Sequence, residues 1–159
     1  MRERIERAGY AVYERLLRRE LSGTPSHVAV IMDGNRRYAR KQGVETNKGH
    51  SKGVETAEAL LHWCDDLGID EVTLYTFSTE NFDRPAEQRE YLFDLVEGKL
   101  RSFADADRVH EAEVCIRAIG ETERLPERVR DAIDYAEART AQYDRLNLNI
   151  ALAYGGRAE

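Results

Sequence analysis

Apolar residues recur along this chain in two rhythms. From 3 to 22 they fall at helical spacing, as Ile5, Ala8, Val12, Tyr13, Leu16 and Leu17, with arginines and glutamates between them. That pattern predicts an amphipathic helix, which Ser22-Gly23-Thr24-Pro25 ends. Its stripe suits packing on the domain surface, or contact with a membrane, a substrate chain or a partner. A β-favouring run follows, His27-Val28-Ala29-Val30-Ile31-Met32, and reads as a buried strand. Residues 34–48 are polar and predict a structured loop with one helical turn. Gly49-His50-Ser51-Lys52-Gly53 opens the next helix, whose stripe is Ala57, Leu60, Leu61, Cys64 and Leu67. Gly68 stops it.

The second strand is Glu71-Val72-Thr73-Leu74-Tyr75-Thr76-Phe77. Pro85 suits the first turn of a helix that carries Tyr91, Leu92, Leu95, Val96, Leu100 and Phe103 and fades near His110. Val114 to Ile119 form a third strand, ending at Gly120. Pro126 starts a helix with Val129, Ile133 and Ala136 on one side. Leu146 to Ala153 form a fourth strand, which runs into Tyr154-Gly155-Gly156-Arg157.

The order α-βαβαβαβ predicts an α/β fold: one domain over 1–159 with a parallel sheet flanked by helices. Three strand ends are polar or glycine-rich: 33–37, 78–84 and 154–157. In a parallel sheet these ends share one edge, where ligands bind. They are expected to converge.

Composition narrows the class. The chain is 42% hydrophobic and 34% charged, with a formal net charge of −6, which argues against a general nucleic-acid binder. Lysine occurs only at Lys41, Lys48, Lys52 and Lys99, so most cations are arginine, a bias that GC-rich coding also produces. Cys64 and Cys115 lie far apart in apolar surroundings and read as buried small hydrophobes in a reducing compartment. No run of ~18 apolar residues exists to span a bilayer. The charged start Met1-Arg2-Glu3-Arg4 has no apolar region behind it, so a signal peptide is not expected and the protein reads as cytoplasmic.

The polar strand ends suggest a chemistry. Asp33 at a strand end suits Mg²⁺, which takes one or two carboxylates and completes its shell with water and substrate phosphate. Gly34 lets a ligand approach the backbone, where N–H groups can cradle phosphate oxygens. Arg36, Arg37 and Arg84 offer forked donors, and His50 heads a helix where an anion is favoured. Together they read as a Mg²⁺–diphosphate site. The nucleotide-binding glycine motifs G-x-x-x-x-G-K-[ST] and G-x-G-x-x-G after a strand are absent. Asp33-Gly34-Asn35 lacks the second acid two residues on that an aspartyl-nucleophile phosphatase would carry. Asp65-Asp66-Leu67-Gly68-Ile69-Asp70 reads as a solvated helix end rather than a metal motif.

These residues also resemble a known signature. His27-Val28-Ala29-Val30-Ile31-Met32-Asp33-Gly34-Asn35-x-Arg37-Tyr38-Ala39 closely resembles that of cis-prenyltransferases, the undecaprenyl diphosphate synthase family. The likeness continues through Gly49-His50-x-x-Gly53, Leu74-Tyr75-x-Phe77-Ser78-x-Glu80-Asn81-Phe82-x-Arg84-Pro85 and Ile119-Gly120. It ends at Leu148-Asn149-Ile150-Ala151-x-Ala153-Tyr154-Gly155-Gly156-Arg157. The N-terminal helix is most similar to that of archaeal and eukaryotic members.

The resemblance implies condensation of isopentenyl diphosphate with an allylic diphosphate, farnesyl or geranylgeranyl, to make a cis-polyprenyl diphosphate, a lipid carrier for glycosylation. Asp33 would hold Mg²⁺ against the allylic diphosphate. Gly34, Asn35, Arg36 and Arg37 would line that diphosphate site, with Tyr38 beside the substrates and His50 on a diphosphate. Ser78, Thr79, Glu80 and Phe82 would line the pocket, and Arg84 would bind phosphate. Asn81 holds the position often assigned to the proton acceptor; its neutral amide suits an orienting role better, with a diphosphate oxygen taking the proton. The helix faces at 57–67 and 91–103 would wall a tunnel for the growing chain, or pack as plain core. The resemblance also implies a homodimer, and an apolar product implies loose membrane association.

Two departures stand out. Thr46 occupies a position where bacterial members often place a phosphate-binding arginine, a contact that Lys48 could supply. The given chain stops at Glu159, whereas family members continue to an Arg-Thr-[Gly/Ser]-Gly-Glu segment that binds isopentenyl diphosphate. The expectation is therefore a C-terminally truncated cis-prenyltransferase, the alternative being a non-catalytic partner subunit of such an enzyme.

Overall fold

The structure is a computed structural model, described here for residues 13, 16, 17, 20, 22–32, 34, 37, 38, 41, 43 and 59–155. Four strands form its sheet: β1 His27–Ile31, β2 Glu71–Ser78, β3 Val114–Ile119 and β4 Leu146–Tyr154. All pair in parallel, in the order β1-β2-β4-β3. The helices are α1 (described over 59–66), α2 Ala86–Ala104, α3 Asp107–Glu111 and α4 Glu127–Thr140. The alternation of strand and helix read from the sequence is the alternation found.

Register divides the sheet into two unlike faces. Val28, Val72 and Leu148 share a row, as do Val30, Leu74 and Ile150. This face joins Leu61, Cys64, Leu92, Phe93, Val129 and Ile133 in a continuous apolar core. The opposite face carries His27, Glu71, Thr73, Asn147 and Asn149. There the His27 ring bonds Thr73 Oγ1 at 2.8 Å, and Asn149 Nδ2 donates to Glu71 Oε1 at 2.6 Å. The near-continuous apolar runs expected of a parallel sheet buried on both faces therefore give way to alternation in β2 and the first half of β4.

Local chemistry explains where the elements stop. α1 ends in a Schellman turn: Ile69 N–H donates to Cys64 O at 2.9 Å and Gly68 N–H to Asp65 O at 3.1 Å. Gly68 has φ +68, which a glycine adopts without a Cβ clash. Cys64 and Ile69 are both buried there. Asp65 ion-pairs with Arg145, so the acidic run closes a helix and ties it to the approach to β4.

The helix after Pro85 departs from its reading. α2 stops at Ala104, and Ala106 is extended before the short α3 begins. The break is held by Asp105, whose carboxylate accepts from Tyr135 Oη at 2.7 Å and Arg139 Nε at 3.3 Å. Tyr135's hydroxyl bond is the main cause that holds Asp105 below the usual carboxylate range, and Arg139 adds to it. The buried stripe also shifts, to Leu92, Phe93, Leu100 and Ala104, with Tyr91, Leu95, Val96 and Phe103 only partly covered. Of the N-terminal stripe, three apolar positions are described. Tyr13, Leu16 and Leu17 are helical but exposed, so this part of it is not packed into the core.

α4 protects a sheet edge. β3 is an outer strand, and its outward N–H groups need acceptors. Thr140 Oγ1 accepts from Ile116 N–H at 3.0 Å and itself donates to Ala136 O at 2.8 Å. Glu137 Oε1 accepts from Ala118 N–H at 2.8 Å. Thr140 is fully buried. Thr140→Val keeps the shape but leaves the Ile116 N–H without this acceptor, and is expected to cost about 2 kcal/mol of unfolding free energy. Chemical denaturation checks this; an unchanged midpoint would contradict it. Arg128 ties α4 to α2 through Glu90, Asp94 and Glu97 at 2.7–3.0 Å.

Candidate functional site

The strand ends read as converging do so where they are described. Ile31 is registered with Tyr75, and Tyr75 with Ala151. Met32 N–H donates to Tyr75 O at 3.3 Å, so the chain leaves β1 beside β2. Ser78 is registered with Tyr154, which brings the 78–84 and 154–155 segments together. A Cβ at Gly155 would stand 2.9 Å from Thr79 Oγ1, an approach that only glycine permits without displacement.

Beyond β1, Gly34 takes φ +92 and the chain coils at once: Tyr38 N–H donates to Gly34 O at 2.8 Å. Arg37 and Tyr38 are helical and exposed, in keeping with the helical turn expected in this loop. The Arg37 guanidinium lies over Gly34, with Nη2 3.9 Å from where a Cβ would be. Asp33, Asn35, Arg36 and His50 lie outside the described residues, as do Thr46, Lys48, Gly156 and Arg157.

The segment after β2 is more ordered than a polar loop. Thr79–Asp83 form a 3-10 turn with Ser78 as N-cap. Asn81 Oδ1 accepts from Ser78 N–H at 3.3 Å. With the carbonyl end of the amide turned onto the backbone, the NH2 end is the one suited to a ligand. Ser78, Thr79, Asn81, Phe82 and Arg84 are half-buried, and Glu80 is exposed.

Several supports of this turn had no signal in the sequence pattern. Phe82 meets Phe77 edge-on at 5.1 Å, and Phe93 lies 6.3 Å from it. Arg124 stands over the Phe82 ring at 4.6 Å while bonding Glu121 at 2.8 Å. Arg89 Nη1 donates to Phe82 O at 3.1 Å. Phe93 falls outside the expected stripe. Only the fold of the loop after β3 brings Arg124 to Phe82.

Cys64 and Cys115 are both buried and free, as expected, and burial raises the Cys64 thiol above its usual range. No group of three metal-ligating side chains occurs among the described residues. None is needed for Mg²⁺, which one carboxylate and substrate oxygens can hold. Among the described residues no helix is long and apolar enough to cross a membrane.

Fold and strand-end geometry define a parallel α/β protein with glycine- and arginine-bearing segments gathered at one sheet edge. Residues 31–159 match the prenyltransferase family model that describes undecaprenyl diphosphate synthases. The chain belongs to that family. Over all 159 residues it is 79% identical to the tritrans,polycis-undecaprenyl-diphosphate synthase (geranylgeranyl-diphosphate specific) of Haloarcula marismortui, covering 52% of that protein. It is 64% identical over the same length to the synthase of the same name from Halobacterium salinarum, covering 53% of it. The chain thus spans about half the length of the curated relatives it matches. Among solved structures, lavandulyl diphosphate synthase of Lavandula x intermedia, in complex with dimethylallyl diphosphate, superposes with a TM-score of 0.79. That match has 36% identity and covers 84% of this chain and 57% of the other.

Proposed function

We propose that the protein is a Mg²⁺-dependent cis-prenyltransferase that extends an allylic diphosphate with isopentenyl diphosphate. The observation that carries this is identity of 79% across the whole chain to a synthase named for geranylgeranyl diphosphate, with the diphosphate-type segments gathered at one sheet edge. Geranylgeranyl diphosphate is accordingly the primer of choice over farnesyl diphosphate.

The reaction breaks the allylic C–O bond, forms one C–C bond to isopentenyl diphosphate and releases inorganic diphosphate and a proton. The residues share this work. Arg37, Arg36 and Arg84 neutralise diphosphate oxygens, and the backbone at Gly34 and Asn35 lets them approach closely. His50 adds a donor to a diphosphate. Asn81 orients a diphosphate oxygen with its NH2, and that oxygen takes the proton. Ser78, Thr79, Glu80, Phe82 and Tyr38 line the substrates. Asp33 is the carboxylate that would hold Mg²⁺; its hard oxygen donor at a phosphate-binding edge fits that ion. When bound, Mg²⁺ stabilises charge on the departing diphosphate. A homodimer and loose membrane contact belong to the same reading.

Titration of the full protein with geranylgeranyl diphosphate and Mg²⁺ in a calorimeter tests the site. Micromolar or tighter binding that exceeds that of inorganic phosphate by at least about tenfold is expected. Equal, weak binding of both would remove the basis for the proposal.

A further inference from the structure

We propose that Tyr75 is a positioning residue that locks the strand end at Tyr154–Gly155, so that this segment holds a fixed backbone wall beside the bound diphosphate. The proposal rests on the diphosphate reading given above, and it starts from an irregularity in the sheet. Down to Tyr75 and Ala151, β2 and β4 pair residue for residue. Then Phe77 pairs with Leu152, leaving Thr76 extra in β2. Ser78 next pairs with Tyr154, leaving Ala153 extra in β4. Two bulges, one in each strand, cancel within three residues.

The cancellation has a conformational cost. Ala153 takes φ +50, in the left-handed region that residues with a Cβ avoid. Such a conformation persists only where surrounding contacts over-determine it, and bulges recur beside active sites because they re-aim the chain. Here side chains replace the ordinary ladder. Thr76 Oγ1 donates to Ala151 O at 3.0 Å, and Tyr75 Oη donates to Tyr154 O at 2.7 Å. The Tyr75 ring also meets the Tyr154 ring edge-on, at 5.7 Å and 87°.

Tyr75 is thereby bonded to two segments at once. Its carbonyl receives Met32 N–H, one residue before Asp33. Its hydroxyl holds Tyr154, one residue before the glycine that packs on Thr79. A single side chain and its own backbone thus set the spacing between the exits of β1 and β4. If that bond is lost, the strand end populates other conformations, and the affinity for a diphosphate falls by the fraction of competent sites lost.

Tyr75→Phe keeps the ring and removes only the hydroxyl. In the full protein without ligand, amide hydrogen exchange at Tyr154 and Gly155 is expected to quicken about tenfold. Calorimetry with geranylgeranyl diphosphate, and separately with inorganic diphosphate, is expected to show equal losses of about tenfold, because the lock acts on the headgroup end. Thr76→Val serves as the control: it removes the hydroxyl bond one rung earlier and is expected to leave both affinities within about twofold. Unchanged exchange at 154–155 would overturn the lock. So would affinities equal to wild type, an equal loss in Thr76→Val, or a variant unfolded at the assay temperature, which would make Tyr75 a general structural residue. Faster exchange in a protein whose wild type binds neither diphosphate would leave the lock standing and defeat the functional reading instead.

Discussion

Asp33→Ala in the full protein is expected to lower kcat about a thousandfold, a loss of about 4 kcal/mol of transition-state stabilisation. The cause is charge. Departure of an allylic diphosphate leaves negative charge on its oxygens, and a divalent cation stabilises that charge by several kcal/mol. Among 31–38, Asp33 is the one carboxylate. On either side of it in sequence, Met32 is bonded to β2 and Gly34 has φ +92. Asp33→Asn keeps the size and loses the charge, so it should fall nearly as far. Steady-state kinetics across a Mg²⁺ titration separate the causes. A wild-type rate in either variant would remove Asp33 from the metal role.

Gly120→Ala is expected to be the most damaging small substitution for the fold itself. A Cβ there would run into the Leu152 carbonyl oxygen, and φ is +115. Both atoms in the clash are fixed by backbone, so neither can rotate away. Strain at such a φ costs about 1–3 kcal/mol, and overpacking adds about 1–3 kcal/mol. A total near 3 kcal/mol predicts a fall in Tm of about 10 °C for a chain of this size. Gly98→Ala is the matched control. Gly98 lies inside α2 with nothing within 4 Å of where a Cβ would stand, so alanine should raise stability by about 0.5–1 kcal/mol. Equal melting temperatures for the two variants would contradict this account of Gly120.

How much of the molecule is legible in its sequence depends on how local the signal is. Apolar rhythm places all four strands, because a strand of Val, Ile and Leu writes its own pattern. Gly68 and Pro126 mark helix boundaries through backbone restrictions that act within a residue or two. The runs at 34–38 and 78–84 stand out because several phosphate-suited groups fall together. Other features have no local trace. The twin bulges at Thr76 and Ala153 arise from how two distant strands fit. Thr140 and Glu137 look like an ordinary helix end until β3 supplies the N–H groups they accept. Asp105 breaks a helical pattern by bonding to residues 30 and 34 positions away. Arg124 reaches Phe82 across 42 residues, an aromatic contact that neither segment announces. The structure therefore adds chiefly long-range side-chain bonds, and those are what hold the candidate site in shape.

Chain elongation with cis geometry is open to a direct measurement. The full protein is incubated with geranylgeranyl diphosphate, Mg²⁺ and labelled isopentenyl diphosphate, and the product is extracted and its new double bonds assigned by NMR. The expected product is a labelled polyprenyl diphosphate longer than the primer, with cis geometry at every added unit. Products with trans additions, or label that stays entirely in isopentenyl diphosphate, would contradict the claim.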